Sequence, residues 1–84
     1  MKKDKYFKSS NFYQAAFLVA KGMELADIDF SEPRRCKFVF LDTPEREKLL
    51  EFFNFGREDA PGAMVDARKL ITAVKTLKDK LYQD

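Results

Sequence analysis

A chain of 84 residues, 45% hydrophobic, 14% aromatic and 36% charged, has room for one domain with a thin stability margin. Its 16 basic and 14 acidic residues nearly cancel at +2, and it holds no run of about 18 apolar residues with which to cross a membrane. One Cys and no His exclude an internal disulfide framework, the usual zinc and iron–sulfur sites and every His-dependent catalytic triad.

The chain opens on MKKDKYFK, four Lys against one Asp. No apolar signal stretch follows, so the expected compartment is the cytoplasm. Residues 1–4 read as a frayed basic tip, and the β-prone pair Tyr6 and Phe7 predicts a short strand over Lys5–Lys8. Ser9, Ser10 and Asn11 offer three N-caps for a helix over 12–21, which Gly22 ends. On a wheel of about 100° per residue, Phe12, Tyr13, Ala16, Phe17, Val19 and Ala20 cover most of the circumference. Asn11, Gln14 and Lys21 mark a narrow wet side, with Leu18 among them, so this is expected to be the central helix.

Met23–Phe30 predicts a strand with imperfect alternation: Glu24, Ala26, Ile28 and Phe30 on one face, Met23, Leu25, Asp27 and Asp29 on the other. Ser31–Arg35 is a turn around Pro33, and Cys36–Leu41, aromatic and β-branched, is the strongest strand signal. The two strands should form an antiparallel hairpin. A second helix begins at Asp42–Glu45, with Thr43 as cap and Pro44 in the first helical position, carries Leu49, Leu50 and Phe53 on one face, and ends at Asn54–Gly56. Arg57–Ala63 is a loop. The last helix is capped by Asp66 and buries Leu70, Val74, Leu77 and Leu81, with Ile71 and Tyr82 flanking the stripe. The order β-α-β-β-α-α predicts a single α+β domain over 1–84, a three-stranded, mainly antiparallel sheet with helices on one face. Nine Phe and no Trp assign most of the aromatic volume to its core.

The stretches YFKSSNFYQAAFLVAKG, RRCKFVFLD and VDARKLITAVKTLKDKLY together resemble a family of small bacterial and phage proteins described as a domain of unknown function. The likeness runs from about Tyr6 to Tyr82: an opening helix that ends in a Gly, an aromatic strand, and a closing helix that ends in Leu-Tyr. The loop GREDAPGA is longer than the family pattern. The resemblance implies a compact cytoplasmic domain in a phage or mobile-element setting. It carries no assigned activity and hence no catalytic residues.

Several groups of residues are candidates for function. Lys3, Lys5 and Lys8 on the basic arm, with Arg34, Arg35 and Lys37 at the hairpin, have the residue types that contact phosphates in a salt-dependent way. Phe38 and Phe40 lie beside them and could stack bases, but a small sheet needs them for its own core. Asp27 and Asp29, roughly 6–7 Å apart on one strand face, could hold Mg²⁺, although no third ligand is set by a motif and charged strand faces ordinarily block edge pairing. Lys8–Asn11 could bind an anion at a helix start, a pattern that ordinary capping also explains. Cys36 lacks a His partner and reads as an inert thiol in an apolar strand. The basic residues of the last helix scatter over about 200°, unlike a groove-reading ridge. Leu18, Phe52 and Phe55 look surplus to one core and are candidates for a partner interface.

The net charge conceals a division: +3 over residues 1–8, −4 over 38–67 and +3 over 68–84. The expectation from sequence is a non-catalytic binding module without metal or cofactor. Nucleic acid leads as partner; the alternative is a protein-interaction module or homodimer that does not bind nucleic acid.

Overall fold

The computed structural model describes residues 5–32, 34–56 and 60–82. Its sheet has three antiparallel strands in the order β1-β3-β2: β1 (Tyr6–Ser9), β2 (Leu25–Asp29) and the central β3 (Lys37–Leu41). The central place falls to the most apolar run, as burial on both sides requires. Three helices accompany it, α1 (Phe12–Ala20), α2 (Arg46–Phe55) and α3 (Ala67–Leu81), with a 3₁₀ turn at Pro61–Ala63. The α+β architecture and the element order are those expected.

Phe38, Phe40 and Ile28 point from the sheet into one hydrophobic cluster with Ala15, Ala16, Phe17 and Leu18 of α1 and Ala73 and Leu77 of α3. The imperfect alternation of β2 has a structural cause. Leu25 pairs with Phe40 but Asp27 pairs with Val39, so Ala26 is an extra residue in a bulge. The bulge puts Leu25 and Ile28 on the core face together, where the sequence places them on opposite faces, and leaves Asp27 and Asp29 on the open face.

α1 is capped by Asn11, whose Oδ1 accepts the Gln14 N–H at 3.0 Å, and ends at Gly22 with φ 102°, where a side chain would be strained. Leu18 is a correction. Its place between Gln14 and Lys21 suggested a wet side, yet it is fully buried. Gln14 is half-buried: its Oε1 accepts a 2.7 Å hydrogen bond from the hydroxyl of the buried Ser9, so the line Gln14–Leu18 lies against the sheet. Leu18 therefore belongs to the core and cannot form part of a partner interface.

α2 starts later than expected. Thr43 and Pro44 form a turn closed by the Arg46 N–H to the Thr43 carbonyl, and Glu45 takes the cap position with no side-chain hydrogen bond. Asp42 anchors this start, accepting from the Thr43 N–H and the Arg46 guanidinium, which lies 4.5 Å over the Phe7 ring. Hydrogen bonding to Asp42 raises the Arg46 pKa above its ordinary value. α3 begins as expected: Asp66 Oδ1 accepts from the N–H groups of Arg68 and Lys69. Its buried line is Ala73 and Leu77; Leu70, Val74 and Leu81 are half-buried, while Ile71 and Tyr82 are exposed rather than flanking the core.

Candidate binding surfaces

The pairing of β1 with β3 divides the basic residues proposed to meet nucleic acid. Lys5 sits opposite Asp42, at the end of β3 away from the β2–β3 turn. Arg34, Arg35 and Lys37 lie at the turn end, five residues away along β3, about 17 Å. Lys3 falls outside the described residues. Lys8 lies on the open face, but its ammonium makes a 2.9 Å ion pair with Asp29 that spans the central strand over Val39. Phe38 and Phe40 are buried and offer no stacking platform. What remains at the turn end is the exposed pair Arg34 and Arg35 beside half-buried Lys37.

The carboxylates of β2 are engaged locally. Asp27 Oδ1 accepts the Ile28 N–H at 2.8 Å. Asp29 accepts the Ser31 N–H at 2.9 Å and the Lys8 ammonium, and these bonds, the first above all, hold its carboxyl well below the usual carboxylate range. Among the described residues no three Cys, Asp or Glu side chains gather closely enough to hold a metal ion. Ser9 and Asn11 are used in capping and in the bond to Gln14, which accounts for the polar start of α1. Cys36 is free and half-buried at the edge of the core.

The apolar residues gather elsewhere. α2 and α3 both pack on α1 and lean apart from one another, leaving a cleft of about 430 Å³ between them. Ala16 and Phe17 form its floor and Tyr13 stands on its rim; Phe52, Phe53 and Gly56 line one wall, and Val65, Leu70 and Val74 the other. Among the described residues that line it none is charged. The Phe17 and Phe53 rings meet at 5.3 Å, and the 3₁₀ turn closes one end, with Gly62 lying so tightly on the Phe52 ring that a Cβ there would collide with it. Phe52 is thus a half-buried wall of this cleft. Phe55 lies outside it, 84% exposed, and Tyr13 on the rim is 74% exposed.

Of the three apolar residues singled out from sequence, Phe52 lines the cleft, Phe55 lies on another side of α2 in a shallow groove with Leu50, Glu51 and Asn54, and Leu18 is core. From sequence, Tyr13, Phe17, Leu70 and Val74 all read as core residues. The i, i+4 spacing of Leu70 and Val74 carried the signal for an apolar face, but only the splay of α2 from α3 leaves it partly open. A second groove of about 620 Å³ runs between the end of α1 and the start of α3, lined by Ala20, Gly22, Thr72 and Thr76 with Asp66, Arg68 and Lys69 at its edge.

A small α+β domain of three helices and three antiparallel strands, with an apolar cleft between two of the helices, is the class that these features define. The model of the family described as a domain of unknown function, DUF5659, matches residues 4–83, and the chain belongs to that family. No curated protein and no solved structure matches it. No helix among the described residues is long and apolar enough to cross a membrane.

Proposed function

We propose that this protein is a non-catalytic binding module that recognises another polypeptide through the cleft between α2 and α3. The observation that carries this reading is the cleft itself: an apolar trough walled by Phe52, Phe53, Leu70 and Val74, with an exposed Tyr on its rim. Clefts of this kind between helices accept apolar side chains of a partner. Cytoplasmic residence goes with this reading, since a free thiol suits a reducing compartment.

The test is a photo-reactive amino acid in place of Tyr13, compared with one in place of Lys37 on the open sheet face, in producing cells. Discrete protein adducts from position 13, lost on Val74→Asp and absent from position 37, are expected. Equal adducts from both positions contradict the reading.

A second reading keeps nucleic acid as partner. It rests on Arg34 and Arg35, which are exposed and form no ion pair among the described residues. Titration of labelled single- and double-stranded oligonucleotides at low and moderate salt tests it. Binding should weaken in Arg34→Ala/Arg35→Ala and its salt slope should fall by about 2. Absence of salt-sensitive binding at micromolar protein removes this reading.

A further inference from the structure

We propose that the cleft is filled by an acidic amphipathic helix of a partner protein, its apolar side chains entering the trough and its carboxylates meeting Lys75 and Lys78 of α3. The inference rests on the cleft being the binding surface and adds the chemistry of what fills it.

The α3 wall of the cleft carries it. Val74 lines the cleft, and its neighbours three and four residues away on the helix surface are Leu70, Ile71, Leu77 and Lys78. Leu77 is fully buried and Leu70 lines the trough beside Val74, so these two mark the inner side. Ile71 and Lys78 are the neighbours on the outer side, and both are exposed. They share one narrow stripe with Lys75 and Tyr82, since Ile71, Lys75, Lys78 and Tyr82 follow the i, i+4, i+7, i+11 spacing of a single helix face. Tyr82 stands at the C-cap, where its N–H still donates to the Lys78 carbonyl.

The stripe combines apolar area with unanswered charge. Ile71 is 56% exposed and Tyr82 80%, so a large apolar side chain stands in water at either end, with two ammonium groups between them. Neither lysine forms an ion pair among the described residues. The acids of α2 do not answer them: Glu47 and Glu51 line a groove on another flank with Leu50 and Asn54, and Glu45 lies within one turn of Lys48. Asp79, one turn past Lys75, is further round α3 and away from Val74. The outer rim of the cleft is thus basic along α3. From Ile71 to Tyr82 it runs about 17 Å, the length of three helical turns, so a helix laid along it meets trough and stripe together. A flat lipid surface would touch the stripe but leave the trough unfilled. Charges at such a rim select an acidic partner over a basic one more than they raise affinity.

The experiment selects displayed random peptides of about 16 residues, enough for about four helical turns, on the full chain and measures the enriched peptides by fluorescence anisotropy. Enriched peptides should carry apolar residues at helical spacing and a net negative charge. They should bind Lys75→Glu/Lys78→Glu at least about tenfold more weakly than the parent chain, and Ile71→Ser should weaken them too. These positions are exposed, so thermal unfolding stays in place and lost binding is separated from lost folding. Val74→Asp should abolish binding of the same peptides. Enriched peptides with no acidic excess, or with an affinity indifferent to the two lysines, overturn the proposal. If such peptides still depend on Val74, the cleft remains the binding surface and only the acidic partner falls. If they ignore Val74 as well, or none is enriched, the reading of the cleft falls with it. Co-sedimentation with anionic phospholipid vesicles in place of peptide binding, lost in Lys75→Glu/Lys78→Glu, assigns the stripe to a membrane surface and also overturns the proposal.

Discussion

Single residues show most clearly how local chemistry overrules pattern. Gln14 is polar and was read as facing water, yet its amide accepts from the Ser9 hydroxyl inside the fold and turns Leu18 into the core with it. A wheel cannot register that partnership, because Ser9 belongs to another element. Leu18→Ala should therefore cost about 2–5 kcal/mol in urea unfolding, whereas Phe55→Ser, its companion among the apolar residues singled out from sequence, should fall within about 0.5 kcal/mol. Asp29 gives a prediction in pH. Its pKa is lowered by the Ser31 N–H and the Lys8 ammonium, so its contribution to stability is complete above the ordinary carboxylate pKa of about 4 and is lost as pH falls below that toward the lowered value. Asp29→Asn should lower stability at neutral pH and flatten the acid limb of the stability curve between about pH 4 and 2. An acid limb as steep as that of the parent chain would show that the pairing contributes nothing.

At the scale of elements, the order of strands and helices was legible because each announces its own ends. Asp66 precedes an apolar stripe and does cap it; Gly22 follows α1 and takes the positive φ that such a stop needs. Asp66→Ala should lower thermal stability by about 1 kcal/mol by releasing the N–H groups of Arg68 and Lys69; Asp66→Asn should recover most of it, and a loss no smaller for Asn than for Ala would point away from capping. The start of α2 was less legible. Thr43 and Pro44 have the composition of a helix start but form a turn before it, since the Asp42 carboxylate takes the Thr43 N–H and the Arg46 guanidinium and sets the helix to begin beyond them. The β2 bulge was visible only as imperfect alternation: placing it required knowing that Leu25 faces Phe40.

For the whole molecule, the sequence held the parts of the functional surface without their arrangement. The β1-β3-β2 order sends Lys5 and the basic turn to opposite ends of the sheet, and Lys8 is spent on Asp29 in between. The most apolar strand takes the middle, but that β1 runs antiparallel to it and sets Lys5 at the far end from the turn is a property of pairing. The cleft arises in the same way, from two helices that each pack on α1 and hardly on each other. A domain of this size has little apolar surface to spare, and the apolar trough with an exposed Tyr on its rim is the side proposed to meet a partner. The most direct test is to ask whether that side is covered in the cell. In a Cys36→Ser background, Tyr13→Cys on the cleft rim and Lys80→Cys on the exposed side of α3 are reacted with a maleimide, in dilute purified protein and in intact cells. The account predicts that both label readily when dilute and that position 13 alone is shielded in cells. Equal labelling at both positions in cells would contradict it.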